Sequence, residues 1–257
     1  MFLIDTHAHL YDEVFDGDRQ LMLQRAKAVG VSAIVLPNVD SQSMGLLKNL
    51  VDAYPELCFP AAGLHPCSVN KNFREELTKV EQELASKKYF AVGETGLDFY
   101  WDTTFAEEQK ISFRVQIEWA SAMNLPLIIH TRNSFDSAYE IIAEYKGLVG
   151  GIFHCFSGSV EDAQKIISLG GFKMGIGGSV TYKNSTLPHV ISEIPLEHLV
   201  LETDAPYLPP VPHRGKRNET SYIAIVGQKL AEIKSVSFDE IVRQTTLNAR
   251  EIFNFPF

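Results

Sequence analysis

No apolar run in the 257-residue chain approaches the roughly 20 residues that a membrane-spanning helix needs. No basic segment precedes Phe2-Leu3-Ile4, and that apolar stretch is too short for a secretory leader. Cysteine is scarce as well: Cys58, Cys67 and Cys155 lie far apart and are odd in number. They outline neither a disulfide framework nor a zinc knuckle. These absences together lead us to expect a cytoplasmic protein with no membrane partner. Positive charge is also short, with 23 Lys and Arg against 32 Asp and Glu for a net −9. That balance argues against a protein that coats nucleic acid through a broad basic face. It leaves open an enzyme that admits one strand end or a small phosphorylated substrate, with divalent cations supplying local positive charge.

Linkers, low-complexity tracts and internal repeats are missing, so a single domain over residues 1–257 is expected. What is present is alternation. Short apolar runs at 2–6, 31–37, 57–63, 89–94, 125–130, 150–155, 172–178 and 198–203 read as strands. Amphipathic stretches at 17–29, 41–53, 72–86, 105–123, 134–145, 159–169, 219–233 and 238–254 read as helices, the last with Ser237 as its N-cap. Gly30, Gly147 and Gly170 stand just past helical patterns, where a left-handed C-cap needs glycine. Segment 179–196 has the least regular pattern. Parallel strands need crossovers, so eight strands alternating with helices predict an α/β fold, a (β/α)8 TIM barrel. The competing open doubly wound sheet loses its best support, because no Gly-x-Gly-x-x-Gly turn follows the first strand.

Polar residues gather at the C-terminal ends of the expected strands. Strand one ends in Asp5-Thr6-His7-Ala8-His9, with His7 and His9 on one face if the strand continues. The third runs into Gly63-Leu64-His65-Pro66, and the fourth into Gly93-Glu94-Thr95-Gly96-Leu97-Asp98. The fifth and sixth end at His130 and His154, and the eighth at Glu202-Thr203-Asp204. In a barrel these ends converge on the rim that carries the active site. Taken singly, His130 and His154 are equally well read as core-edge histidines, and Asp204 as a turn residue. Glu94 is harder to dismiss, since a buried carboxylate is costly unless paired or bound to a cation. Jointly His7, His9, His130, His154, Glu94 and Asp204 suit two divalent cations bridged by a carboxylate. Imidazole and carboxylate donors fit zinc or manganese, and magnesium where carboxylate and water dominate.

The segments DTHAHL (5–10), GLHP (63–66), GETGLDFY (93–100), HTR (130–132), FHCFSG (153–158), LETDAPYL (201–208) and RGKRNE (214–219) occur in order along almost the whole chain. In this the chain resembles the TatD family of metal-dependent deoxyribonucleases, within the amidohydrolase-like hydrolases. The resemblance implies one metal on His7, His9 and Asp204, a second on His130 and His154, and Glu94 between them. It also implies 3′-to-5′ exonuclease action on single-stranded DNA. Cys67 stands where many members have histidine, and Thr220 where proline is common.

A water activated between two cations would attack the phosphodiester, with Asp204 as general base and Glu94 as the second catalytic carboxylate. Glu202, two residues before Asp204, reads either as support for the site or as a structural carboxylate. Arg132, two residues past His130, suits a bidentate grip on phosphate, or else caps a helix. His65 reads as a donor to phosphate or as a residue orienting a ligand. The run Pro212-His213-Arg214-Gly215-Lys216-Arg217-Asn218 is the most basic in the chain, and Arg214 is its candidate for substrate. Tyr100 and Trp101 suit base stacking or ordinary packing. Two other readings use the same sequence: a small-molecule amidohydrolase or esterase on the same centre, and a metal-stabilised binding protein without turnover.

Overall fold

A computed structural model describes residues 2–86 and 88–256. Eight strands, β1 (Leu3–Asp5), β2 (Val31–Pro37), β3 (Cys58–Ala62), β4 (Ala91–Asp98), β5 (Leu127–Arg132), β6 (Gly151–Phe153), β7 (Phe172–Ile176) and β8 (Leu199–Leu201), form one sheet in sequence order. Every neighbouring pair is parallel. The crossovers carry helices α1 (Arg19–Ala28), α2 (Met44–Ala53), α3 (Phe73–Leu84), α4 (Ala106–Met123), α5 (Phe135–Ala143), α6 (Val160–Leu169) and α7 (Leu187–Glu193). Helices α8 (Ile223–Lys234) and α9 (Phe238–Ile252) complete a (β/α)8 TIM barrel. Among the described residues no helix is long and apolar enough to cross a membrane.

Alternation along the strands divides the core in two. Ala33 and Val35 of β2, with Ile4, Phe59, Ala61, Ala91, Ile128, Ile152 and Val200, fill the barrel interior. Their neighbours Ile34 and Leu36 face outward into the layer beneath the helices. Phe253 and Phe255, which follow α9, join the interior cluster, and Phe255 packs edge-on against Phe59 at 4.9 Å. The ring closes between β8 and β1 by a short seam. Thr6 N–H donates to Leu201 O (3.1 Å), Asp204 N–H to His7 O (2.9 Å) and His9 N–H to Ala205 O (2.7 Å).

Three departures from the sequence expectation bear on the site. β1 stops at Asp5, so His7 and His9 lie on the backbone beyond the strand rather than on its face. β4 begins at Ala91 rather than at 89 and runs on past the expected end at 94 to Asp98, through Gly96. Gly96, at φ +132°, makes this continuation work: a Cβ there would stand 2.1 Å from His130 O on the paired strand. Gly96→Ala is therefore expected to cost about 3 kcal/mol and lower Tm by about 6–12 °C, read by thermal unfolding. An unchanged Tm would mean that β4 and β5 can part to admit a methyl group. The third departure is α7, in the stretch without regular pattern. Its buried face is only Leu187, Val190 and Ile191, with Pro188 in the first turn, too short for a periodic signal. Gly30 and Gly170 adopt the expected positive φ after α1 and α6. α5 already ends at Ala143, leaving positive-φ Gly147 in the following loop.

Candidate metal centre

Glu94, buried on β4, is the hub of the rim. Its two oxygens face different partners. Oε2 lies 3.2 Å from His7 Nε2 and 3.5 Å from His9 Nε2. Oε1 lies 2.8 Å from His154 Nε2, 2.9 Å from His130 Nδ1 and 3.3 Å from His65 Nε2. Asp204 Oδ1 is 3.6 Å from both His7 Nε2 and His9 Nε2, and these two nitrogens stand 3.1 Å apart. All six residues expected to hold metal, drawn from five strand ends, thus meet within a few ångströms. Nitrogen and oxygen donors so closely gathered in a buried setting suit divalent cations.

Outer partners fix which atom each imidazole presents. Tyr11 O–H donates to Pro37 O (2.7 Å) and so accepts from His9 Nδ1–H (3.0 Å), leaving the His9 Nε2 lone pair toward the centre. His130 donates Nε2–H to Asp98 Oδ2 (2.9 Å) and turns Nδ1 to Glu94. His65 differs: its Nδ1 accepts the Cys67 N–H (3.0 Å), so in the neutral ring the proton sits on Nε2, aimed at Glu94. A hydrogen-bond donor, rather than a ligand, is what that tautomer makes of His65. Glu202 accepts the Cys155 N–H on Oε1 (2.6 Å) beside His154 Nδ1 (3.6 Å). Gly175 leaves it room, since a Cβ there would lie 2.0 Å from Glu202 Oε2.

Charge follows the same plan. Burial pushes Glu94 up, but His154, His65 and His7, with the bond to His130, hold its carboxyl well below the usual range. Burial drives Asp204 up to about 6 against the pull of His154 and His9. Burial lowers His7 and His65. It opposes the charged form of His130 and His154 too, yet carboxylates carry both upward, Asp98 and Glu94 acting on His130, Glu94 and Glu202 on His154.

Several supporting residues were missed from sequence. Gln109 and Gln116 share a face of α4 and pair with the backbone below the rim. Asp98 N–H donates to Gln109 Oε1 (2.9 Å) and Leu64 N–H to Gln116 Oε1 (2.8 Å). Asp98 itself was within reach, four residues after Glu94 on one strand and thus on the same face. The basic run does not form one patch. Arg217 turns inward to Asp18 (2.7 Å), while the Arg214 guanidinium lies 4.2 Å from the Tyr182 ring centroid. Arg132 likewise rests on Tyr100 (3.9 Å) and Trp101 (5.0 Å). Among the described residues neither Arg132 nor Arg214 forms a salt bridge.

Comparison with known proteins places this rim. Residues 4–254 match the family described as TatD-related DNase. The chain is 40% identical to YabD of Bacillus subtilis, an uncharacterized metal-dependent hydrolase, over 98% of both chains. The crystal structure of YjjV, a TatD homologue from Escherichia coli, superposes with TM-score 0.92 at 34% identity, covering 99% of this chain and 98% of that one. A TatD-family hydrolase from Entamoeba histolytica gives 0.86 at 26% identity, with 99% and 98% covered. Agreement of this extent, end to end and with relatives of equal length, is decisive: the chain belongs to the TatD-related DNase family of metal-dependent hydrolases.

Proposed function

We propose that this hydrolase is a phosphodiesterase acting on DNA, which trims single strands from the 3′ end. The observation that carries the reading is a carboxylate shared between two imidazole sets, with Arg132, two residues past His130, and Arg214 lacking carboxylate partners among the described residues. His7, His9 and Asp204 would hold one divalent cation and His130 and His154 a second, with Glu94 common to both. Bound there, divalent cations would supply Lewis acidity for activating water near neutral pH and for offsetting charge on the phosphoryl oxygens. Asp204 takes the proton of the attacking water on its carboxylate; as the new P–O bond forms, the bond to the leaving sugar oxygen breaks and that oxygen takes up the proton. Glu94 holds the two imidazole sets in register. His65 turns its Nε2–H from Glu94 to a phosphoryl oxygen as charge develops on it. Arg132 and Arg214 grip flanking phosphates, and their aromatic supports limit the rotamers each must give up on binding. The Tyr100 and Trp101 rings, 52% and 69% exposed, offer faces for an unpaired base.

The test is metal restoration. Protein stripped with chelator and supplied separately with magnesium, manganese or zinc should shorten a 5′-labelled single-stranded oligonucleotide stepwise, only when metal is present. The ion that supports turnover at the lowest concentration is the working cofactor. Intact DNA under every ion, with hydrolysis of an amide, lactone or carboxylic ester instead, would replace the nuclease by a small-molecule hydrolase. Inertness toward all of these would leave a binding protein.

A further inference from the structure

Two cavities adjoin at Ser157, on the loop after β6, and one of them is lined by Thr131 and Arg132, the residues that follow His130. The larger, about 730 Å³, is bounded by Tyr100 and Arg132. The smaller, about 340 Å³, lies over the loop between β7 and α7, the segment whose sequence had least pattern. Its wall includes Ser157, Ser179, Tyr182, Lys183, Ser185 and Arg214, and no aspartate or glutamate. The lining thus carries positive charge in a chain of net charge −9. Lys183 is exposed and, among the described residues, meets no carboxylate. Tyr182 is held in place because its O–H donates to Pro209 O (3.1 Å), and Arg214 is stacked on its ring. Hydroxyl donors, two unpaired cations and a fixed aromatic support are the components of a phosphate site on a nucleic-acid path.

We propose that this pocket is a second subsite for single-stranded DNA, binding a backbone phosphate between Lys183 and Arg214 while the strand runs past Ser157 to the Tyr100 cavity. The inference rests on the nuclease reading and extends it, since it makes the enzyme selective for strands long enough to occupy both cavities. On this reading a dinucleotide, whose single phosphate sits at the metal centre, leaves the pocket empty, whereas a nonamer has further backbone phosphates to place there.

The experiment compares wild type with Lys183→Gln and Lys183→Glu, all metal-loaded. It measures hydrolysis of a dinucleotide and a nonamer, and fluorescence anisotropy with a labelled phosphorothioate nonamer. In Lys183→Glu the nonamer should bind about tenfold more weakly, with KM raised to match and kcat unchanged. Lys183→Gln should fall between, and both variants should treat the dinucleotide as wild type does. Equal nonamer affinity in all three proteins overturns the subsite even where DNA is cleaved. If wild type cleaves no DNA, the nuclease reading fails by itself and anisotropy alone decides the pocket. Binding that depends on Lys183 then upholds it, and absence of binding by wild type removes it.

Discussion

Replacing Asp204 with asparagine is expected to lower hydrolytic turnover about a thousandfold while the barrel stays folded. Asp204 sits at φ +57°, in the left-handed region, where asparagine is tolerated and alanine strained by about 1–2 kcal/mol. The asparagine variant thus separates chemistry from backbone. Its N–H still donates to His7 O, and one side-chain oxygen still faces His7 and His9. What it loses is the site that accepts a proton. Turnover, circular dichroism and metal content by mass spectrometry are the three readings needed. Lost turnover with metal retained assigns the base, whereas wild-type turnover would dismiss Asp204 from that role.

Glu94→Gln should have the larger effect on cation binding. Four of the five imidazoles around this carboxylate belong to the proposed ligand sets, and glutamine replaces one of its oxygens with an N–H₂ donor. Whichever way the amide turns, one set meets a donor where a cation needs an acceptor. Metal affinity should drop at least about a hundredfold, beyond the range seen when only an outer partner is removed. Stability should fall too, by about 3–5 kcal/mol, because buried imidazoles lose their anion. Equilibrium dialysis and a melting curve check both. A variant that keeps its full complement of metal would show that Glu94 does not serve the two sets together.

The barrel was legible because its two signals are local. Apolar runs of strand length recur between amphipathic stretches, and metal-competent side chains follow them in the same order. Strand limits were less so: the expected strand ended at 94, whereas β4 continues to Asp98 because Gly96 lets β5 come close. Helix α7 escaped because seven residues hold too few turns for a period to emerge. Convergence of His7, His9, Glu94, His130, His154 and Asp204 followed from their places at strand ends, and the family resemblance already placed Glu94 between two sets; which of its oxygens faces which set required coordinates. The orienting partners depend on long-range contacts as well. Gln116 meets Leu64 and Glu202 meets Cys155 only once the chain has closed. The basic run misled as a block, because charge alone does not reveal that Arg217 is drawn to Asp18 while Arg214 settles on Tyr182.

The seam between β8 and β1 gives the metal centre a second meaning. Few backbone bonds hold these edges together, yet His7 and His9 stand on one side of the join and Asp204 on the other. An ion held by the three, as proposed above, would fasten the segment after β1 to the segment after β8, as a clasp fastens a bracelet. Its binding energy then belongs to the folding equilibrium as much as to the reaction. On that reading the supply of the cation would decide how tightly the ring is shut, and removing it with a chelator should lower Tm as well as abolish turnover.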